Sequence, residues 1–181
     1  MKAMGKNHLK RVFFALWPDD SVRENISNVF KKSTYSVASG QAYSADNLHL
    51  TLHFLGSVTP LQLDCAMQQA AKVKAEKFEL LLDGFGCFEG AKILWLGPKD
   101  TPNQLTNLHV KLANALDNCD VPIESRIYRP HVTLMRKFKG FKESHLSNNV
   151  LWEVDQFALV ESLSTENGVI YRPLKHYSLI G

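Results

Sequence analysis

Two short runs in this chain, His49-Leu50-Thr51-Leu52 and His131-Val132-Thr133-Leu134, repeat a pattern that can move protons. An imidazole titrates near pH ~6.5, so at neutral pH one histidine can be neutral while another is protonated. Two of them flanking a phosphodiester could take a proton from an attacking oxygen and return one to the leaving oxygen. Threonine hydroxyls beside them could hold the non-bridging phosphate oxygens and keep the phosphorus in line. Such a set manages protons and charge with no metal or other cofactor. The chain has no Gly-x-Ser-x-Gly elbow, no phosphate-cradling loop and no Rossmann glycine pattern.

Each run lies in an apolar, β-branched segment that reads as a strand. Side chains two apart on a strand share a face, so each strand offers its His and Thr to one side. Leu50, Leu52 and Phe54, like Val132 and Leu134, are expected to face a core. By the same alternation His53 joins His49 and Thr51 and is read as a solvated residue at the cleft rim. A zinc site of His49, His53 and His131 is the weaker alternative, because it leaves both threonines without a role. Trp17, Trp95 and Trp152 are read as core residues, and Tyr171 and Arg172 as edge-strand surface. His8, His109, His145 and His176 are read as surface or capping residues.

The flanking elements repeat as well. A strand over 11–17 stops at Pro18, Asp19 and Asp20 open a helix fraying by about residue 39, and a short loop leads to His49. Gly56 is expected to end that strand, with a helix from Thr59-Pro60 and a strand over 78–82. Residues 84–90 read as turn-rich and 92–96 as a strand closed by Gly97-Pro98. A helix then runs to Leu116 with Leu105, Leu108, Leu112 and Leu116 on one face. Pro18 precedes His49 by 31 positions and Pro98 precedes His131 by 33. Two final strands, 154–163 and 168–180, are expected to answer 78–82 and 92–96. The layout predicts an α+β fold of two pseudo-symmetric lobes, each an antiparallel sheet with helices on its outer face. The active site lies in the central cleft, and residues 1–181 form a single bilobal domain.

Composition is that of an ordinary globular protein, 45% hydrophobic and 22% charged with a net charge of +3, and no block of like charge suggests a nucleic-acid tail. No apolar run is long enough to span a membrane and the first ten residues lack a secretory segment, so no membrane and a cytoplasmic location are expected. Cys65, Cys87 and Cys119 are odd in number and unpaired in spacing, and are read as reduced thiols.

The segments HLTLHFLG and RPHVTLMRK resemble the two-histidine (2H) phosphoesterases, and among them the bacterial and archaeal RNA 2′,3′-cyclic phosphodiesterases once called 2′-5′ RNA ligases. The likeness extends to RVFFALWP, SADN, ILWLG and YRPLKHYSL. It implies hydrolysis of a 2′,3′-cyclic phosphate, on an RNA end or a cyclic nucleotide, to a 2′-phosphomonoester by a monomer. It makes His49 the proton donor and His131 the acceptor, with Thr51 and Thr133 on the phosphate. It also places Phe14 and Arg136 near the substrate, although regular alternation would turn Arg136 to the core. The residues themselves support the pair but not which is acid and which is base. Ligation, the reverse reaction, and a binding module without turnover are the alternatives, and a metal-dependent hydrolase is the weakest of them.

Overall fold

The computed structural model describes residues 9–142, 146, 148–166 and 168–181; His8 and His145 lie outside them. Strand β1 (Lys10–Leu16) alternates cleanly: Val12, Phe14 and Leu16 enter the main core, while Phe13 and Ala15 pack on the opposite face. Pro18 breaks the strand, and Asp19 caps α1 (Asp20–Lys32) by accepting the Val22 N–H at 2.8 Å. That helix buries Val22, Ile26 and Val29 and ends at Lys32, earlier than the sequence suggested, because Ser33 caps a separate single turn over Thr34–Val37.

β2 (Gln41–Ala42) is followed by β3 (Leu50–Val58), which carries the first motif and runs on through Gly56 at φ +70° instead of ending there. α2 (Pro60–Ala70) starts with a reciprocal cap between Thr59 and Gln62. β4 (Phe78–Leu82), β5 (Gly84–Phe88) and β6 (Ile93–Gly97) come next, so the passage expected to be turns is a strand. α3 (Asn103–Leu116) buries the four leucines predicted for it. β7 (Val132–Arg136) carries the second motif, and β8 (Val150–Val154), β9 (Gln156–Thr165) and β10 (Gly168–Ser178) close the chain.

The main sheet has the order β10-β9-β1-β3-β7-β6-β5, with β2 added beside β7. Every pairing in it is antiparallel, and β4 and β8 form a second, two-stranded sheet. The order reads outward from the β3–β7 pair as β1 then β9 on one side and β6 then β5 on the other, which is the two-lobed layout. The counterpart of β9 is therefore β5, and β4 is spent on pairing with β8. One apolar cluster holds the core face of the sheet together with α1, α2 and α3. The opposite face is left for Phe13, Ala15, Ala158 and Val160, and it is there that the motif side chains emerge.

Among the thiols, Cys65 and Cys119 are joined in a disulfide, their Cα atoms 5.5 Å apart, and Cys87 is free. The expectation of separate reduced thiols is thus corrected. Packing of α2 on α3 brings together two cysteines 54 residues apart, which spacing alone does not show. No helix among the described residues is long and apolar enough to cross a membrane.

Candidate active site

The motif strands meet at the centre of the sheet, with Leu50 opposite Val132. Extending that antiparallel register by one residue in each direction sets His49 against Thr133 and Thr51 against His131. Each histidine thus faces the hydroxyl of the other copy, and the pair is related by the approximate two-fold between the lobes. Leu50 and Val132, both fully buried, anchor the two strands from the core side.

Immediately after each motif the strand carries an extra residue. Phe14 pairs with His53 and Ala15 with Thr51, which leaves Leu52 unmatched in β3. Leu94 pairs with Met135 and Trp95 with Thr133, which leaves Leu134 unmatched in β7. A bulge of this kind reverses the facing of the side chains that directly follow it. His53 and Met135 therefore turn into the core, at 2% and 3% exposure, while Phe54 and Arg136 turn out to the motif face. This corrects two expectations: His53 does not share a face with His49, so it cannot complete a zinc site with His49 and His131, and Phe54 is not a core residue. It also supplies the turn that Arg136 needs.

The two rings are held alike. His49 Nδ1 lies 2.7 Å from the Asn47 carbonyl and His131 Nδ1 lies 2.7 Å from the Arg129 carbonyl. A carbonyl only accepts, so each Nδ1 carries the hydrogen and each Nε2 is left free to take or give a proton. Burial lowers His49 to about 4; its bond to Asn47 works the other way, and the nearby His131, Arg136 and Arg23 lower it further. Burial also lowers His131, against its bond to Arg129. Aromatic rings do the enclosing. Phe13 is 4.7 Å from His49, Tyr171 packs edge-on at 4.9 Å and Trp17 stacks at 5.9 Å. Phe88 and Trp95 stand 4.9 and 6.1 Å from His131. Trp17 and Trp95 are thus neighbours of the histidines and not core residues, whereas Trp152 is buried as expected.

A cavity of about 500 Å³ opens on this face. His49, Thr51 and Thr133 line it together with Phe13, Tyr43, Phe54, Arg136 and Tyr171, while His131 stands outside this lining. Arg136 lies over the Tyr43 ring at 5.2 Å. Phe14 is absent from it: the ring is fully buried against Phe157 and Tyr177, because the even residues of β1 face the core. The aromatic that β1 contributes is Phe13.

The family model of the 2′-5′ RNA ligase superfamily matches residues 18–165. The chain belongs to the 2′-5′ RNA ligase superfamily. It is 29% identical to the RNA 2′,3′-cyclic phosphodiesterase of Escherichia coli K12 over 94% of this chain and 97% of that one. The corresponding protein of Aquifex aeolicus is also 29% identical, over 94% of this chain and 98% of its own. The crystal structure of E. coli LigT in apo form superposes with a TM-score of 0.87 at 29% identity, covering 96% of this chain and 99% of that chain. E. coli LigT complexed with 3′-AMP superposes with a TM-score of 0.86 at 28% identity over the same coverage.

Within this superfamily member, sequence reasoning located the two motifs and missed most of the wall. Phe13 and Trp17 share the odd parity of β1, a signal present in RVFFALW once the core side is known. Phe54 had no such signal, since only the bulge exposes it. Tyr171, read as edge surface, reaches the cavity because β10 folds over the first motif. Among the described residues no cluster of His, Cys, Asp or Glu is arranged to hold a metal ion.

Proposed function

We propose that this protein hydrolyses the 2′,3′-cyclic phosphate at RNA ends, or on cyclic nucleotides, to a 2′-phosphomonoester by two-histidine acid–base catalysis without a metal. The observation that carries the reading is the reciprocal register, which sets each histidine beside the other copy's threonine with both Nε2 atoms free. The relatives named RNA 2′,3′-cyclic phosphodiesterase support the substrate class. In the reaction, His131 Nε2 accepts a proton from water as its oxygen attacks phosphorus. The P–O3′ bond breaks, and His49 Nε2–H delivers a proton to O3′. Thr51 and Thr133 donate to the non-bridging oxygens, and Arg136, turned to this face, adds positive charge. In the empty cavity His49 is neutral at pH 7; the phosphate's negative charge beside it favours the imidazolium that a donor requires. Residues 1–181 act as one bilobal unit, a cytoplasmic monomer in this reading.

Incubation with 2′,3′-cyclic nucleotides in EDTA tests this, with the 2′-monophosphate expected as product. His49→Ala and His131→Ala should each lower turnover by at least about a thousandfold while leaving the circular-dichroism spectrum unchanged; near-normal rates in either variant would remove the proposal. A substrate with sulfur at the 3′ bridging position leaves without a proton, so it should rescue His49→Ala and not His131→Ala. Ligation, in which a 5′-hydroxyl takes the place of water, attacks the phosphorus of the 2′,3′-cyclic end and releases O3′ to form a 2′-5′ bond, is favoured as a second reading by the superfamily's ligase description. Product analysis at high concentrations of RNA halves separates the two.

A further inference from the structure

Asn47 stands two residues before His49; besides the bond from its own N–H to the Ser44 carbonyl, it makes three hydrogen bonds in two directions. Its main-chain carbonyl accepts from His49 Nδ1 at 2.7 Å. Its side-chain nitrogen donates to the Val169 carbonyl at 2.8 Å, and its side-chain oxygen accepts the Tyr171 N–H at 3.3 Å. Only one orientation of the carboxamide satisfies both partners. Bonding the carbonyl of one residue and the N–H two residues on is the pattern of a parallel strand, so the carboxamide stands in for the N–H and C=O of one residue of a missing neighbour. The edge it covers is real: β10 ends the sheet order, with β9 on its other side.

The segment held in this way covers His49. Tyr171 packs edge-on against the His49 ring at 4.9 Å and against Phe13 at 5.2 Å. Tyr171 lines the cavity together with Tyr43, four residues before Asn47 on the same short connection. The other copy has no such device: Arg129 supplies the matching carbonyl to His131, but its side chain is exposed and bonded to nothing among the described residues. The two-fold is broken at this point, and one histidine is clamped where the other is not.

We propose that Asn47 is a positioning residue for His49: its carboxamide fastens β10 and the Tyr171 ring over the imidazole that its own carbonyl orients. The kinetic part rests on the phosphodiesterase reading; the structural part does not. In Asn47→Ala, His49 should lose its single Nδ1–H tautomer in ring ¹⁵N NMR spectra and titrate closer to the ordinary histidine value as water reaches it. The Tyr171 amide should exchange at least about tenfold faster, and His131 should keep its tautomer. On a 2′,3′-cyclic nucleotide, kcat should fall at least about tenfold with KM within about threefold. Asn47→Asp keeps the acceptor for Tyr171 and loses the donor to Val169, so it should show smaller changes of the same sign and serves if the alanine variant does not fold. An unchanged His49 tautomer and titration together with unchanged Tyr171 exchange in the folded variant would overturn the proposal. Absence of turnover in the wild-type protein would remove the phosphodiesterase reading and leave the ring and exchange measurements as the test of the clamp.

Discussion

The two imidazoles share a hydrogen-bonding device but not an environment. His49 has three aromatic neighbours and His131 two, and burial lowers both. The pH dependence of kcat/KM reports the free enzyme, in which His49, the proposed donor, loses its proton at about 4, well below neutrality. Both limbs of that profile are therefore expected below pH ~6.5, the ordinary histidine value. The limbs of kcat should stand higher, because bound phosphate favours the imidazolium form. A descending limb of kcat/KM at pH 7 or above would show that enclosure does not set the His49 titration.

At the scale of elements, the paired bulges at Leu52 and Leu134 decide the character of the cavity wall. They exchange His53 and Met135 for Phe54 and Arg136 on the active face, and they do so at the same place in both copies. The second lobe uses a further device: the Trp95 indole lies flat on Gly86, where an added Cβ would come within 2.0 Å of the ring. Gly86→Ala should therefore displace Trp95 from beside His131, cost about 1–3 kcal/mol by overpacking and lower activity. Gly90→Ala, with nothing within 4 Å, is the control. The helical layer is tied by Cys65–Cys119, away from the cavity. Replacing both by Ser should cost about 2–4 kcal/mol, a fall of roughly 5–15 °C in Tm, with kcat retained. An unchanged melting temperature would mean that the bond does not restrain the chain.

At the scale of the whole molecule, burial depresses four of the described histidines. Besides the two motif histidines, His53 gives its Nε2–H to the His109 carbonyl at 2.8 Å, keeps Nδ1 buried without a partner, and stacks on His109 at 4.0 Å. Burial lowers His53, and it lowers His109 to about 4, helped by the neighbouring His53. A histidine whose folded value is depressed takes up its proton more readily in the unfolded chain. Its contribution is whole above pH ~6.5 and is lost as pH falls toward about 4. Glu161 acts in a lower window. Burial raises it, but Arg172 and Lys10 outweigh that and hold it below its usual 4.5, so its contribution is lost only beneath that pH. Tm should thus decline between pH 6.5 and 4.5, before carboxylates matter, and His109→Phe, which keeps the stack, should flatten the decline. A Tm constant across that interval would contradict this account.

The doubled His-x-Thr, its strand setting, the leucine face of α3 and the two-lobed order were all readable in the chain, because they depend on residue type and short periodic spacing. The orientation of Arg136 and Phe54 was not, since one extra residue in a strand shifts facing without changing composition. The core position of Phe14 and the cleft position of Phe13 turn on which side of β1 is covered, and adjacent phenylalanines look alike until a sheet closes over one of them. The Cys65–Cys119 bond and the Asn47 clamp join positions 54 and more than 120 residues apart. Contacts of that span follow from how helices pack and sheets curl, so local sequence specified the paired histidines and threonines, while only the tertiary arrangement determined their enclosure and their inequality.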